Sequence, residues 1–254
     1  MVFMSLREAF FSTLIRLGNR QGLLLDVGCG EARFLLDVSK FLENFLLIGL
    51  DVDLLSIQRA WRRLRLMKMA TKACLISSSA HSLPFRDEVF DLVTAVMLFH
   101  EFRPAAKLID FVVEARRVLK DDGLLVVIDK FKYTPHDSAE ASSLRLEEIY
   151  HEALSLAHNL DIWGLHEVED YTRLLAKAGM KVISVVISGP GEYLDYEEFI
   201  RRIRGSVRDT IQKVKDPRQR ALLFRRYTEA LNNIRIHGYR RSRVLMIQAK
   251  KTSS

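Results

Sequence analysis

The chain has 254 residues, 48% of them hydrophobic, and a formal net charge of +7. That length can bury a full core and fits one domain with an elaboration, whereas no stretch reaches the roughly 18 uncharged apolar residues of a membrane span. Arg7 and Glu8 interrupt the N-terminal apolar residues where a signal peptide would be continuous, and Cys29 and Cys74 lack paired zinc spacing. A cytoplasmic protein without a metal site is the expectation.

The charge is uneven. Residues 190–254 carry 16 Lys and Arg against 7 Asp and Glu, while residues 1–189 carry 23 against 25. Such asymmetry points either to an anionic partner or to a solvated, arginine-rich helix surface.

In chain order, Phe3, Leu6, Phe10, Leu14 and Leu17 predict an amphipathic helix over 3–18. Strands are predicted at 23–27, 45–51, 73–77, 91–97 and 124–129, alternating with helices at 31–43, 54–69 and 104–119. This alternation implies an α/β fold with a parallel sheet covered on both faces. Helices at 138–158 and 168–178 follow, the second ending at Gly179 as a left-handed cap, before a strand over 180–187. About fifty residues then precede a last apolar strand at 242–248, too long a stretch for a structureless loop. Apolar stripes predict two helices there. One spans about 196–214, with Tyr196, Ile200, Ile203, Val207, Ile211 and Val214 in line. The other starts at Pro217, behind Asp216 as N-cap.

The most informative run is Leu23-Leu24-Leu25-Asp26-Val27-Gly28-Cys29-Gly30-Glu31-Ala32-Arg33-Phe34. A strand breaks at a glycine turn and passes into a helix, an arrangement suited to a cofactor. The next strand ends at Asp51-Val52-Asp53, where an acidic side chain meets a ribose in dinucleotide folds. A dinucleotide would require a third glycine where Arg33 stands, and the arginine's bulk opposes a pyrophosphate there.

The run Asp26-Val27-Gly28-Cys29-Gly30-Glu31-Ala32 instead resembles motif I of class I S-adenosylmethionine-dependent methyltransferases, with Ala32 in place of the last glycine. Gly49-Leu50-Asp51-Val52-Asp53, Ser79-Ala80-His81-Ser82-Leu83-Pro84-Phe85, Phe90-Asp91-Leu92-Val93-Thr94-Ala95 and Val118-Leu119-Lys120-Asp121-Asp122-Gly123-Leu124 are similar to the later motifs, in order. Glu167-Val168-Glu169-Asp170-Tyr171 through Met180 looks like the family's last helix and strand. The group resembled is type 11, which includes the ubiquinone- and menaquinone-pathway enzymes. The resemblance implies a Rossmann-like, doubly wound, seven-stranded sheet of order 3-2-1-4-5-7-6 with strand seven antiparallel. It also implies S-adenosyl-L-methionine as cofactor, with Asp51 on both ribose hydroxyls and the Gly28–Gly30 backbone beside the methionine moiety. The full set of expected cofactor residues is Asp26, Gly28, Gly30, Asp51, Val52, Ser79, Ala80, His81 and Met97. Ser79 replaces the family's adenine-binding aspartate, and a hydroxyl accepts that bond more weakly.

Ligands in such sheets lie over the carboxyl ends of the strands, so Met97 to Glu101 should face the transferred group. His100 is the candidate base, with Glu101 to orient it or bind a cation; His100 as a purely shaping residue is the competing reading. His151, His158, Trp163 and His166 cluster before strand six. They read as pocket-lining or as ordinary helix and loop residues, and not as metal ligands.

Three functions compete. The first is a methyltransferase for a small molecule, with 190–240 as a helical lid over the acceptor pocket. Its acceptor would be anionic if the insertion's arginines point inward. The second is an RNA methyltransferase gripping phosphates through basic residues within 196–243, namely Arg201, Arg202, Arg204, Arg208, Arg225, Arg226, Arg240, Arg241 and Arg243. The third is a non-catalytic methyltransferase-like subunit that serves a partner.

Overall fold

The computed structural model describes residues 10, 12, 14, 21–203 and 205–252. Most of the helix expected over 3–18 therefore lies outside the described residues. Phe10 and Leu14 are buried among Leu24, Leu35 and Phe45.

Branched and leucine-rich runs supply the strands β1 (Gly22–Val27), β2 (Phe45–Asp51), β3 (Ala73–Ser77), β4 (Phe90–Val96), β5 (Leu119–Lys130) and β6 (Met180–Ile187). With β9 (Val244–Lys251), they form one seven-stranded sheet of order β3-β2-β1-β4-β5-β9-β6. The pairs β1–β2, β1–β4, β2–β3 and β4–β5 are parallel, and β9 runs antiparallel to both β5 and β6. The expected order, with the last strand antiparallel between its neighbours, is the one observed. Helices α1 (Arg33–Val38), α2 (Leu54–Leu66), α3 (Leu108–Val118), α4 (Ser138–His158) and α5 (Val168–Lys177) complete the doubly wound frame.

Three helices differ from their expected bounds by more than one residue: α1 spans 33–38 against 31–43, α2 ends at Leu66 against 69, and α3 spans 108–118 against 104–119. β5 and β9 run over 119–130 and 244–251 against 124–129 and 242–248. α1 begins late because Ala32 sits at φ 59, in the left-handed region, and keeps the glycine turn from joining the helix. α3 begins at Leu108, after Pro104 and a separate short turn over Ala105–Lys107. Gly179 ends α5 at φ +76, as its position after the helix requires.

The insertion departs from the two-helix expectation. Between the short strands β7 (Tyr193–Leu194) and β8 (Tyr239–Arg240), which pair antiparallel, it holds α6 (Tyr196–Arg202), α7 (Gly205–Gln212) and α8 (Pro217–His237). The helix expected over 196–214 is two helices, broken where Gly205 weakens helical continuity. The break changes the buried face: Phe199 is enclosed while Ile200 is only half-buried. Asp216 caps α8 by accepting from the amides of Arg218 and Gln219, as expected.

The insertion builds its own core against α4. Leu146, Ile149 and Ala153 pack with Phe199, Ile211, Leu223, Tyr227 and Ile234. Arginines fasten the same seam. Arg226 meets Glu152, Arg240 meets Asp137 at 2.7 Å, and Arg243 donates to both oxygens of Glu140 at 2.8 and 3.0 Å. Arg202 and Arg241 pair with Glu192, and Arg201 and Arg225 lie near Glu198 and Glu229. Three cations of the basic C-terminal quarter are thus matched by carboxylates on or beside α4, and the other pairs named here lie within that quarter. Arg204 lies outside the described residues. No helix among the described residues is long and apolar enough to cross a membrane.

Glu140 is fully enclosed and also accepts from the amide of His136. Removing Arg243 would strand this buried carboxylate. Arg243→Ala is expected to cost about 3 kcal/mol in urea unfolding, with part of the loss recovered when Glu140→Gln is added. Equal stability of Arg243→Ala and the parent would show that the pair holds nothing.

Candidate active site

A cavity of about 700 Å3 opens at the carboxyl ends of β1 to β4. On either side of β1 the chain leaves toward opposite edges of the sheet, which is where such folds leave a crevice. The first wall is the glycine turn. Gly28 has φ +73, and a Cβ there would come within 2.7 Å of Leu98, while Gly30 at φ +51 faces open space.

The turn's amides point inward to the protein. Gly28 and Cys29 both donate to the carbonyl of Leu50, at 2.7 and 3.0 Å, and Ala32 donates to Cys29. The Gly30 amide donates to Asp51 Oδ2 at 2.8 Å, and the amide of Asp53 donates to Asp51 Oδ1 at 2.9 Å. These donors are spent, so the turn offers them to no phosphate. A carboxylate has about four acceptor positions, so Asp51, which lines the cavity, keeps acceptor capacity beyond these two bonds.

Val52, Ser79, Ala80, His81 and Met97 also line the cavity, together with Gly28 and Gly30. Ser79 Oγ accepts from the amide of His81 at 3.2 Å, and the His81 ring packs on Phe102 at 5.2 Å. Asp26, grouped with these residues on sequence, is not among the lining residues. It is buried behind the turn and accepts from the Thr94 hydroxyl at 2.8 Å.

The far wall comes from the turn after β4, which contributes Leu98, Glu101, Phe102 and Arg103, and from Leu160 beyond α4. The segment carrying Leu160 is strapped to that turn. Ala105 donates to Asp161 O, Trp163 to Phe102 O and Gly164 to His100 O.

His100 itself is enclosed, with only 3% of its side chain exposed. Its Nδ1 lies 2.5 Å from Asp129 Oδ1, and its Nε2 lies 3.9 Å from Glu101 Oε1. Asp129 is fully buried at the end of β5, and its Oδ2 accepts from the amides of Phe99 and His100 at 2.5 and 3.3 Å. His151 stands edge-on to His100 at 5.5 Å; both its ring nitrogens are buried without a partner among the described residues, and burial lowers its pKa to about 4. Of the other residues clustered with it on sequence, Trp163 stacks on His166 at 4.0 Å and His158 is exposed. Asp129, Arg103 and Leu160 were not identified by sequence reasoning. An acidic residue closing a buried strand was a usable signal for Asp129; the other two had none.

Burial raises the Asp26 carboxyl to about 7, against the hydrogen bond from Thr94 and with a smaller push from Asp51. Between the ordinary carboxylate range and pH 7, the unfolded chain releases this proton and the folded chain keeps it. Asp26 therefore withdraws stability as the pH rises through that window. Asp26→Asn, which retains an acceptor for Thr94, should exceed the parent by on the order of 3 kcal/mol at pH 8 and match it at pH 4 in urea unfolding. A difference that does not vary with pH would contradict the shift.

Residues 25–127 match the family described as a methyltransferase domain, type 11. The uncharacterized methyltransferase YcgJ of Bacillus subtilis is 26% identical over 114 residues, which is 45% of this chain and 42% of that protein. The chain therefore spans under half the length of that curated relative. The crystal structure of the YcgJ protein aligns with 96% of this chain and 98% of its own, at 18% identity and a TM-score of 0.61. Geranyl diphosphate C-methyltransferase from Streptomyces coelicolor, solved with Mg2+, geranyl diphosphate and S-adenosyl-L-homocysteine, aligns with 97% of this chain and 81% of its own, at 13% identity and a TM-score of 0.56. The glycine turn and the acidic end of β2 thus lie in the segment that matches a type 11 methyltransferase domain, and the sheet has the fold of these solved structures.

Proposed function

We propose that the protein transfers the methyl group of S-adenosylmethionine to a small anionic acceptor. The observation that carries this reading is the pairing of Asp51, with acceptor capacity left at the cavity, and a glycine turn whose amides are already bonded. Such a site suits a ribose and a cationic sulfonium better than a pyrophosphate. Asp51 would hold the ribose, Ser79 to His81 the adenine, and the Gly28–Gly30 backbone the methionine end. Bound S-adenosylmethionine supplies a methyl group already activated on sulfur, which leaves the protein to align the reactants and exclude water.

The residues after β4 do that work. Phe102 and Leu160 give an apolar wall, and the strap from 160 to 164 closes it. Arg103 brings a cation to the cavity and has no ion-pair partner among the described residues, which favours an acceptor bearing a carboxylate or phosphate. If the acceptor arrives protonated, Glu101 is the carboxylate on the β4 side of the cavity that would take the proton. His100 acts behind it as a positioning residue, its ring fixed by Asp129 and its Nε2 directed toward Glu101. The insertion supports this arrangement from a distance by buttressing α4, since none of its described residues lines the cavity.

Calorimetry should show S-adenosylhomocysteine binding, weakened about tenfold or more by Asp51→Ala. Tight NAD binding without a response to S-adenosylhomocysteine would overturn the cofactor assignment. Labelled methyl transfer should then be sought in pools of small carboxylates and phosphate esters. Arg103→Ala should raise KM for such an acceptor, and Glu101→Gln should lower kcat where the acceptor must lose a proton. Submicromolar binding of mixed tRNA at physiological salt, weakening steeply as salt rises and lost on removing Arg201, Arg202 and Arg204, would instead favour RNA as the acceptor.

A further inference from the structure

A second cavity, of about 500 Å3, lies between the chain that follows β5, the first half of α4 and the end of α8. Its charged and polar lining includes Lys132, Arg145, His237, Asn233, Ser138 and Glu148. The cations close to it are otherwise engaged: Lys130 with Glu147, Arg226 with Glu152, Arg240 with Asp137 and Arg243 with Glu140. Lys132 and Arg145, which border the cavity, have no ion-pair partner among the described residues. Around α4, then, carboxylates neutralise the cations that hold the fold together, while two cations lining a concave surface are left unmatched.

We propose that this cavity is a binding site for a small anion carrying a phosphate or carboxylate group. Arg145 supplies a planar fork of donors and Lys132 a compact point charge, the two ways in which proteins hold such oxygens. Ser138, Asn233 and His237 add neutral hydrogen-bonding groups around them. Glu148, on the same lining, opposes an anion and limits its affinity. α8 belongs to the insertion, so the site exists only because that segment folds back onto α4. It shares no lining residue with the cavity at Asp51.

The test uses the full chain at constant ionic strength set with chloride, so that general screening is the same in every sample. Inorganic phosphate, glycerol phosphate and citrate are titrated by calorimetry and by thermal shift. Saturable binding of at least one is expected, weakened about tenfold or more in Lys132→Ala/Arg145→Ala. Arg62→Ala/Arg65→Ala, which removes the same charge from the exposed face of α2, should bind as the parent does. Glu148→Gln should bind about two- to fivefold more tightly. Preference for phosphate over glycerol phosphate would identify a free ion as the ligand, and the reverse an ester. No saturable binding, or equal weakening by the α2 variant, would overturn the proposal. S-adenosylhomocysteine binding measured in the same variants should be unchanged, so that failure here is separate from failure of the cofactor assignment.

Discussion

The carboxylate of Asp51 ties together the two turns that leave the paired ends of β1 and β2. It accepts from Gly30 in the turn after β1 and from Asp53 in the turn after β2. The carbonyl next to it, that of Leu50, accepts from Gly28 and Cys29. Three hydrogen bonds, from the amides of Gly28, Cys29 and Gly30, thus fold the glycine turn over the end of β2 and fix one wall of the cavity, while the Asp53 amide holds the other Asp51 oxygen. Gly28 and Gly30 are hard to replace, because both occupy left-handed conformations that other residues adopt at a cost. Burial of Asp26 directly behind the turn adds a second constraint: a carboxyl that keeps its proton to near neutrality does not repel Asp51.

The same economy of charge appears in the insertion. An arginine-rich segment read on its own looks like a surface for polyanions. In the fold, Arg226, Arg240 and Arg243 cross to carboxylates on or beside α4, and Arg202 and Arg241 converge on Glu192. Glu140 shows why this matters. A carboxylate without exposure is tolerated only when donors surround it, and Arg243 together with the His136 amide supplies them. Part of the charge imbalance between the two parts of the chain is the sequence-level trace of the three pairs that cross to α4.

His100 illustrates how a buried network can define a role. Its ring is held by Asp129, with Nε2 3.9 Å from Glu101, and its exposure is too small for it to face the cavity directly. Glu101 is half-exposed and does face it. Under the proposed function, Glu101 rather than His100 is the group at the cavity, at the end of a line that begins at the fully buried Asp129.

Much of this was legible in the sequence, because local rules carry it. Apolar runs with β character, separated by amphipathic helices, dictate a parallel sheet; the bounds of α4 and β6 and the caps at Asp216 and Gly179 follow from residue chemistry within one turn. Gly28, Gly30 and Asp51 were legible because turn geometry and strand ends leave few residue types acceptable. Arg103, Asp129 and Leu160 were not, since each matters only through partners distant in sequence: Asp129 is 29 residues from His100. The break between α6 and α7, the destinations of the insertion's arginines and the second cavity were likewise decided in three dimensions. Periodicity states that a helix has an apolar face and composition states that it has charges. Which surface covers that face, and which carboxylate meets each charge, depends on how distant segments pack.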